Sequence, residues 1–179
     1  MIKGDYVLKI NLDNQEYQGY EEVEIGKVVF LPTGEDLFYI MYDKNLYSTA
    51  GYHLCMYTYV DGLPCVFVDD NYRECLYNKI EIFFVLAMHE YGHYINGDLA
   101  RTDVTNQSIQ DERTACILNG KVQEIELKAD EFAVKCAGKN TFMRAMDYCI
   151  AQRKKRADKD MHLAIKEFEL RKKAAQKIK

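Results

Sequence analysis

The sequence predicts an α+β fold, with a small and mostly antiparallel N-terminal sheet followed by a helical core and a basic C-terminal helix. Three observations carry this reading. Runs rich in β-branched and aromatic residues fill the first 70 positions, helical spacing takes over from residue 78, and the two kinds do not alternate. Strands grouped ahead of helices give helices packed on one sheet, whereas alternation would give a parallel α/β sheet. The expected organisation is a single domain over residues 1–155, strand-rich to 70 and helical from 78, with 156–179 as the basic helix.

Tyr6-Val7-Leu8-Lys9-Ile10, Val23-Glu24-Ile25 with Val28-Val29-Phe30, Phe38-Tyr39-Ile40-Met41-Tyr42, Cys55 to Val60 and Cys65 to Asp70 read as strands. Turn chemistry separates them at Pro32-Thr33-Gly34 and Asp61-Gly62-Leu63-Pro64. Most of the 14 tyrosines lie before residue 61, which suits a pleated, half-buried surface. From Asn78 to Asn96 the chain is apolar with helical spacing, and Gly97 is placed to end that helix. Further helices are expected from about Ser108 to Leu118, closing at Asn119-Gly120, and from about Val122 to Ala137, stopping at Gly138. Asn140 or Thr141 can cap a fourth, to about Arg153, and Asp158 a fifth, to about Lys177.

Composition excludes several classes. The chain has 179 residues, 48% apolar and 29% charged, with two prolines and ten glycines, which is globular rather than disordered or collagenous. The longest wholly apolar run, Ile82 to Met88, has seven residues, against about 20 for a membrane span. The N-terminus lacks the apolar stretch of a signal peptide. A cytoplasmic protein is expected. Six cysteines with no CxxC pair then read as reduced, mostly buried thiols, and their spacing does not make a zinc ribbon. Residues 151–179 hold 11 Lys/Arg against 4 Asp/Glu, while the rest hold 13 against 24. A basic end on an acidic body suits a nucleic acid or acidic partner, although such a helix face is usually just solvated.

His89-Glu90-Tyr91-Gly92-His93 is the most informative stretch. Residues four apart on a helix share a face, so the two imidazoles can converge on one ion. Glu90, about 100° around the axis, can sit beside that ion as a base without ligating it. This is the HExxH arrangement, and imidazole ligands with an open position for water suit one Zn²⁺ per chain. Two histidines do not close a catalytic zinc site. Downstream, Glu126 and Asp130 again share a helical face, with Ala129, Ala133 and Ala137 on the same side. Small residues there let this helix approach the His helix, so that Glu126 can reach the ion as third ligand. Asp130, one turn on, can accept the other ring N–H of a ligand histidine. Glu124 and Glu131 lie off this face and read as solvated. His53, in the strand-rich region, and His162, in the basic helix, are the rival third ligands.

These residues resemble a known group. His89-Glu90-Tyr91-Gly92-His93 followed by Glu126-x-x-Ala129-Asp130-x-Phe132-Ala133 is similar to the gluzincin zinc metallopeptidases, of either the ImmA/IrrE or the HtpX type. The resemblance implies a zincin-like helical core, with His89, His93 and Glu126 as ligands, Glu90 as general base and Asp130 behind a ligand histidine. It covers residues 80–118 loosely and 124–138 well. Val134-Lys135-Cys136-Ala137-Gly138-Lys139 stands where the ImmA/IrrE branch often has a Leu-Met-Pro-like stretch, and the membrane helices of the HtpX branch are absent, which leaves the branch open.

The implied activity is hydrolysis of peptide bonds in a protein or peptide, with a regulatory protein as the substrate that the ImmA/IrrE resemblance implies. Glu90 would take the proton from a zinc-activated water and pass it to the leaving amine. An extended substrate commonly adds as a strand to a sheet edge, and Val66-Phe67-Val68 is the candidate edge. An oxyanion donor is also expected, and several Tyr, His or Arg residues qualify. The alternative is an idle zincin-like module that binds a partner or nucleic acid through its basic C-terminal helix. Retention of Glu90, which ligates nothing in this scheme, favours the enzyme.

Overall fold

The structure is a computed structural model. It describes residues 6–12, 15–22, 27–31, 38–43, 55–60 and 63–69 by backbone, and 78–98, 106–156 and 161–178 as helices with their connections. The strand backbones are β1 (Tyr6–Leu12), β2 (Gln15–Glu22), β3 (Lys27–Leu31), β4 (Phe38–Asp43), β5 (Cys55–Val60) and β6 (Leu63–Asp69). They lie in the order β1-β2-β3-β4-β6-β5. Neighbours are antiparallel except β4 and β6, which run parallel with Ile40 opposite Val66. The expected turns at Pro32-Thr33-Gly34 and Asp61-Gly62, and the Asp158 cap, fall outside the described residues.

Five helices follow: α1 (Ile80–Ile95), α2 (Asn106–Leu118), α3 (Glu124–Ala137), α4 (Lys139–Arg156) and α5 (Met161–Ala175). The apolar run of α1 lets it sit at the centre: Ile82 to Val85, Ala87 to Glu90 and Tyr91 are all buried. A helix apolar on most sides needs partners on most sides. The partners come from α3, with Ala129, Ala133, Val134 and Ala137, and α4, with Phe142, Ala145, Met146 and Cys149. Phe168 and Ala175 of α5 close the cluster. Gly138 has a φ of 78°, a left-handed conformation without strain for glycine, which ends α3 and turns the chain into α4.

The predicted fold class is corrected here. Among the residues whose side chains are described, every apolar core residue belongs to a helix, and helix packs on helix there. The sequence reading gave the helices a small sheet to pack on because strands are grouped ahead of helices in the chain. In fact α1 is apolar nearly all round and the alanine stripe of α3 fits against it, so the helices satisfy one another. The backbones of β5 and β6 run beside α1.

The basic C-terminal segment is likewise not a merely solvated helix. Glu167 and Arg171 of α5 are buried at 5% and 4% exposure, pointing into the helical unit. Cys116, Cys136 and Cys149 are not in disulfides, and burial pushes the Cys136 thiol up to about 11. Among the described residues no helix is long and apolar enough to cross a membrane.

Candidate metal centre

His89 and His93, one turn apart on α1, place their Nε2 atoms 3.2 Å from each other with the rings edge to face. Glu126 occupies the first turn of α3, where the unpaired N–H groups of a helix start favour a carboxylate. Its Oε2 is 3.3 Å from His89 Nε2 and its Oε1 is 3.9 Å from His93 Nε2. One donor atom from each of the three residues lies within 4.8 Å of the other two. Donors about 2.0–2.1 Å from one zinc ion at tetrahedral angles stand roughly 3.3 Å apart, so this spacing fits a shared ion.

The outer nitrogens indicate what faces the centre. His93 Nδ1 lies 2.8 Å from Asp98 Oδ2, and His89 Nδ1 lies 2.9 Å from Asp130 Oδ1. Carboxylates only accept, so each Nδ1 carries the proton and donates it. Arg171 Nη2 also stands 2.9 Å from His89 Nδ1, but a guanidinium has nothing to accept with, and there it only abuts the ring. In the neutral rings the two Nε2 lone pairs stand 3.2 Å apart, with the Arg171 Nη2 donor 3.3 Å from that of His89, and a proton or a metal ion between them relieves their repulsion. Glu126 Oε2 is buried beside them and accepts no hydrogen bond. Its ion-pair contacts, 3.3 Å to His89 Nε2 and 3.6 Å to Arg171 Nη1, are too long or ill-aimed to occupy it.

Charge points the same way. Glu126, Asp130, Asp98 and Glu167 are linked by ion pairs into one cluster with Arg113 and Arg171. Carboxylates outnumber guanidiniums in this cluster, which favours a cation there. Burial and Arg171 oppose a charge on His89, yet the nearby carboxylates of Asp130 and Glu126 outweigh them and push it up to about 9. Burial resists ionisation of Glu126, but Arg113, His89 and Arg171 hold its carboxyl well below the usual range. Burial resists ionisation of Asp130 too, and Arg171 and His89 bring it down.

Glu90 is buried at 9% exposure, and its carboxylate has no hydrogen bond to any described residue. It sits one position round α1 from His89, on the same helix. The structure thus brings His89, Glu90, His93, Glu126 and Asp130 to one region of the helical unit. It does not bring His162 there: that side chain is exposed on α5, as Glu124 and Glu131 are on α3. His53 lies outside the described residues. Val66-Phe67-Val68 is corrected as an edge strand. β6 lies between β4 and β5, with Val66 opposite both Ile40 and Tyr57, so neither side is free to add a substrate strand.

Sequence reasoning missed four members of this region. Asp98 follows Gly97, whose φ of 71° turns the chain back toward His93; an acidic residue just past a helix-ending glycine was the available signal. Arg113 of α2 donates to both oxygens of Glu167 at 2.7 and 2.9 Å and lies 3.3 Å from Glu126 Oε1. Glu167 and Arg171, spaced four apart, carried a signal as a same-face pair, which the surrounding lysines masked. No known protein family, characterised protein or solved structure matches this chain.

Proposed function

We propose that the chain is a zinc-dependent peptidase of gluzincin type, hydrolysing peptide bonds of a protein or peptide. The observation that carries this reading is the mutual spacing of His89 Nε2, His93 Nε2 and Glu126 Oε2, with that oxygen buried and unbonded. His89, His93 and Glu126 would hold the ion, which when bound supplies a water acidified toward a pKa of about 7 and polarises the scissile carbonyl. Asp130 and Asp98 fix the two imidazoles through their Nδ1 protons. Glu90, with no hydrogen-bond partner among the described residues, accepts a proton at its carboxylate and returns it to the leaving amine. An idle binding module would have no use for a buried carboxylate next to a ligand histidine, and that favours the enzyme over a regulatory module. The proposed compartment is the cytoplasm, where thiols such as those of Cys116, Cys136 and Cys149 persist.

The test uses protein stripped by chelator, reloaded with zinc and incubated with a broad peptide library, beside a Glu90→Gln variant. The expected result is cleavage by the parent that requires zinc, and a loss of at least about a hundredfold in the variant with zinc still bound. A zinc-loaded parent that cleaves nothing, or a variant that cleaves equally, would overturn the reading.

A further inference from the structure

We infer that Arg171, on the C-terminal helix, is a positioning residue of the metal centre. It acts through Asp130 to hold the His89 ring with its Nε2 beside His93 and Glu126. The inference rests on the metal-centre reading above and adds a role for α5 that the three ligands do not require.

Arg171 is almost wholly buried, and two of its three nitrogens donate to Asp130. Nε donates to Asp130 Oδ2 at 2.9 Å and Nη2 donates to Asp130 Oδ1, a two-pronged grip that fixes the plane of the carboxylate. Asp130 Oδ1 is also the atom that receives His89 Nδ1–H. A ring whose Nδ1 is held has its Nε2 position set, and here Nε2 lies 3.3 Å from Glu126 Oε2. Nη1 stands 3.6 Å from the same Oε2, close enough for charge attraction and too far for a hydrogen bond, so the oxygen stays available. Glu167, one turn earlier on α5, grips Arg113, which faces the other oxygen of Glu126. The Phe168 ring lies 5.6 Å from the Arg171 guanidinium carbon and supports it from the side. One face of α5 therefore reaches ligands on both α1 and α3.

A plain counter-ion role predicts something different. If Arg171 only neutralises buried carboxylates, lysine can replace it, because charge alone matters. If it positions, lysine fails, because an ammonium cannot grip both oxygens of Asp130 in one plane.

The test is Co²⁺ binding to the chelator-treated full chain, read by the visible absorption that reports coordination geometry and by affinity. The parent is expected to give the intense bands of a tetrahedral centre. Arg171→Lys is expected to bind at least about tenfold more weakly, with weakened or shifted bands, while its far-ultraviolet circular dichroism stays that of the parent. Asp130→Asn, of the same shape, is the second variant and keeps the test open should Arg171→Lys not fold; it is expected to show the same spectral change. The two substitutions together are expected to do little more than either alone. Arg171→Lys or Asp130→Asn with parent affinity and spectrum would overturn the positioning role and leave the metal centre standing, as would losses that simply add. A parent that binds no cobalt would overturn the metal centre, and this role with it.

Discussion

Gly92 of α1 and Ala129 of α3 hold two helix backbones against each other. A methyl group on Gly92 would stand 2.9 Å from the Ala129 Cα, 3.1 Å from its carbonyl oxygen and 3.2 Å from Phe132 Cβ. Backbone atoms cannot swing aside as a side chain can, so the helices would have to separate. One of them carries both histidines and the other Glu126, so their distance sets the size of the metal centre.

Gly92→Ala follows directly. Alanine is favoured over glycine inside a helix by about 1 kcal/mol, and the overpacking works against it by roughly 1–3 kcal/mol. Since backbone is what it meets, the upper end applies, and we expect a net loss of about 1–2 kcal/mol with weaker zinc binding. Urea unfolding of metal-free protein measures the first and chelator competition the second. A midpoint that does not fall would contradict the close approach.

Glu126→Gln removes the charge that Arg113 and Arg171 face. Breaking a buried ion pair costs about 3–5 kcal/mol, and the lower end is expected because Arg113 keeps Glu167 and reaches solvent. The metal-free variant should therefore unfold at lower urea than the parent, in addition to losing zinc. Loss of zinc with unchanged stability would mean that the guanidiniums do not depend on Glu126.

Zinc binding should tighten as pH rises. His89 is pushed up to about 9 in the metal-free protein, against an ordinary value of about 6.5, so its proton contributes stability that is full below 6.5 and lost as pH climbs through 9. A ligand histidine must be neutral, so below about 9 the ion has to displace that proton. Affinity is expected to rise close to tenfold from pH 7 to pH 8, measured by competition with a chelator of known pH dependence. A flat profile would place the His89 proton elsewhere.

Asp98→Asn tests the other imidazole. The amide can turn its oxygen toward His93 Nδ1–H but loses the charge that holds the ring, 2.8 Å away. Zinc affinity is expected to fall by roughly ten- to a hundredfold with little change in folding, because Asp98 sits at the rim rather than in the core. Parent-like affinity would show that His93 is oriented by packing alone.

Much of the helical half was legible because its signals are local. Gly97, Gly120 and Gly138 all take positive φ where helices were expected to stop. The alanine spacing at 129, 133 and 137 marked the face that meets α1, and each of those residues is fully buried. What escaped the sequence was long-range. The same-face spacing of Glu167 and Arg171 was masked by their lysine-rich neighbours, and the partners of Arg171 are met only when α5 folds back onto α3, across 41 residues to Asp130. The strand order was equally hidden: β6 was taken as an edge because it precedes α1 in sequence, but parallel pairing with β4 puts it inside the sheet. The helix-on-helix core was missed because an all-round apolar α1 looks, in sequence, like any helix with a sheet to lie on.

The central claim is that His89, His93 and Glu126 share one ion. Equilibrium dialysis of chelator-treated protein against zinc, for the parent beside His93→Ala and Glu126→Ala, tests it most directly. One zinc bound per parent chain and none held at comparable free zinc by either variant is the predicted result. A parent that takes up no zinc, or variants that bind as the parent does, would contradict it.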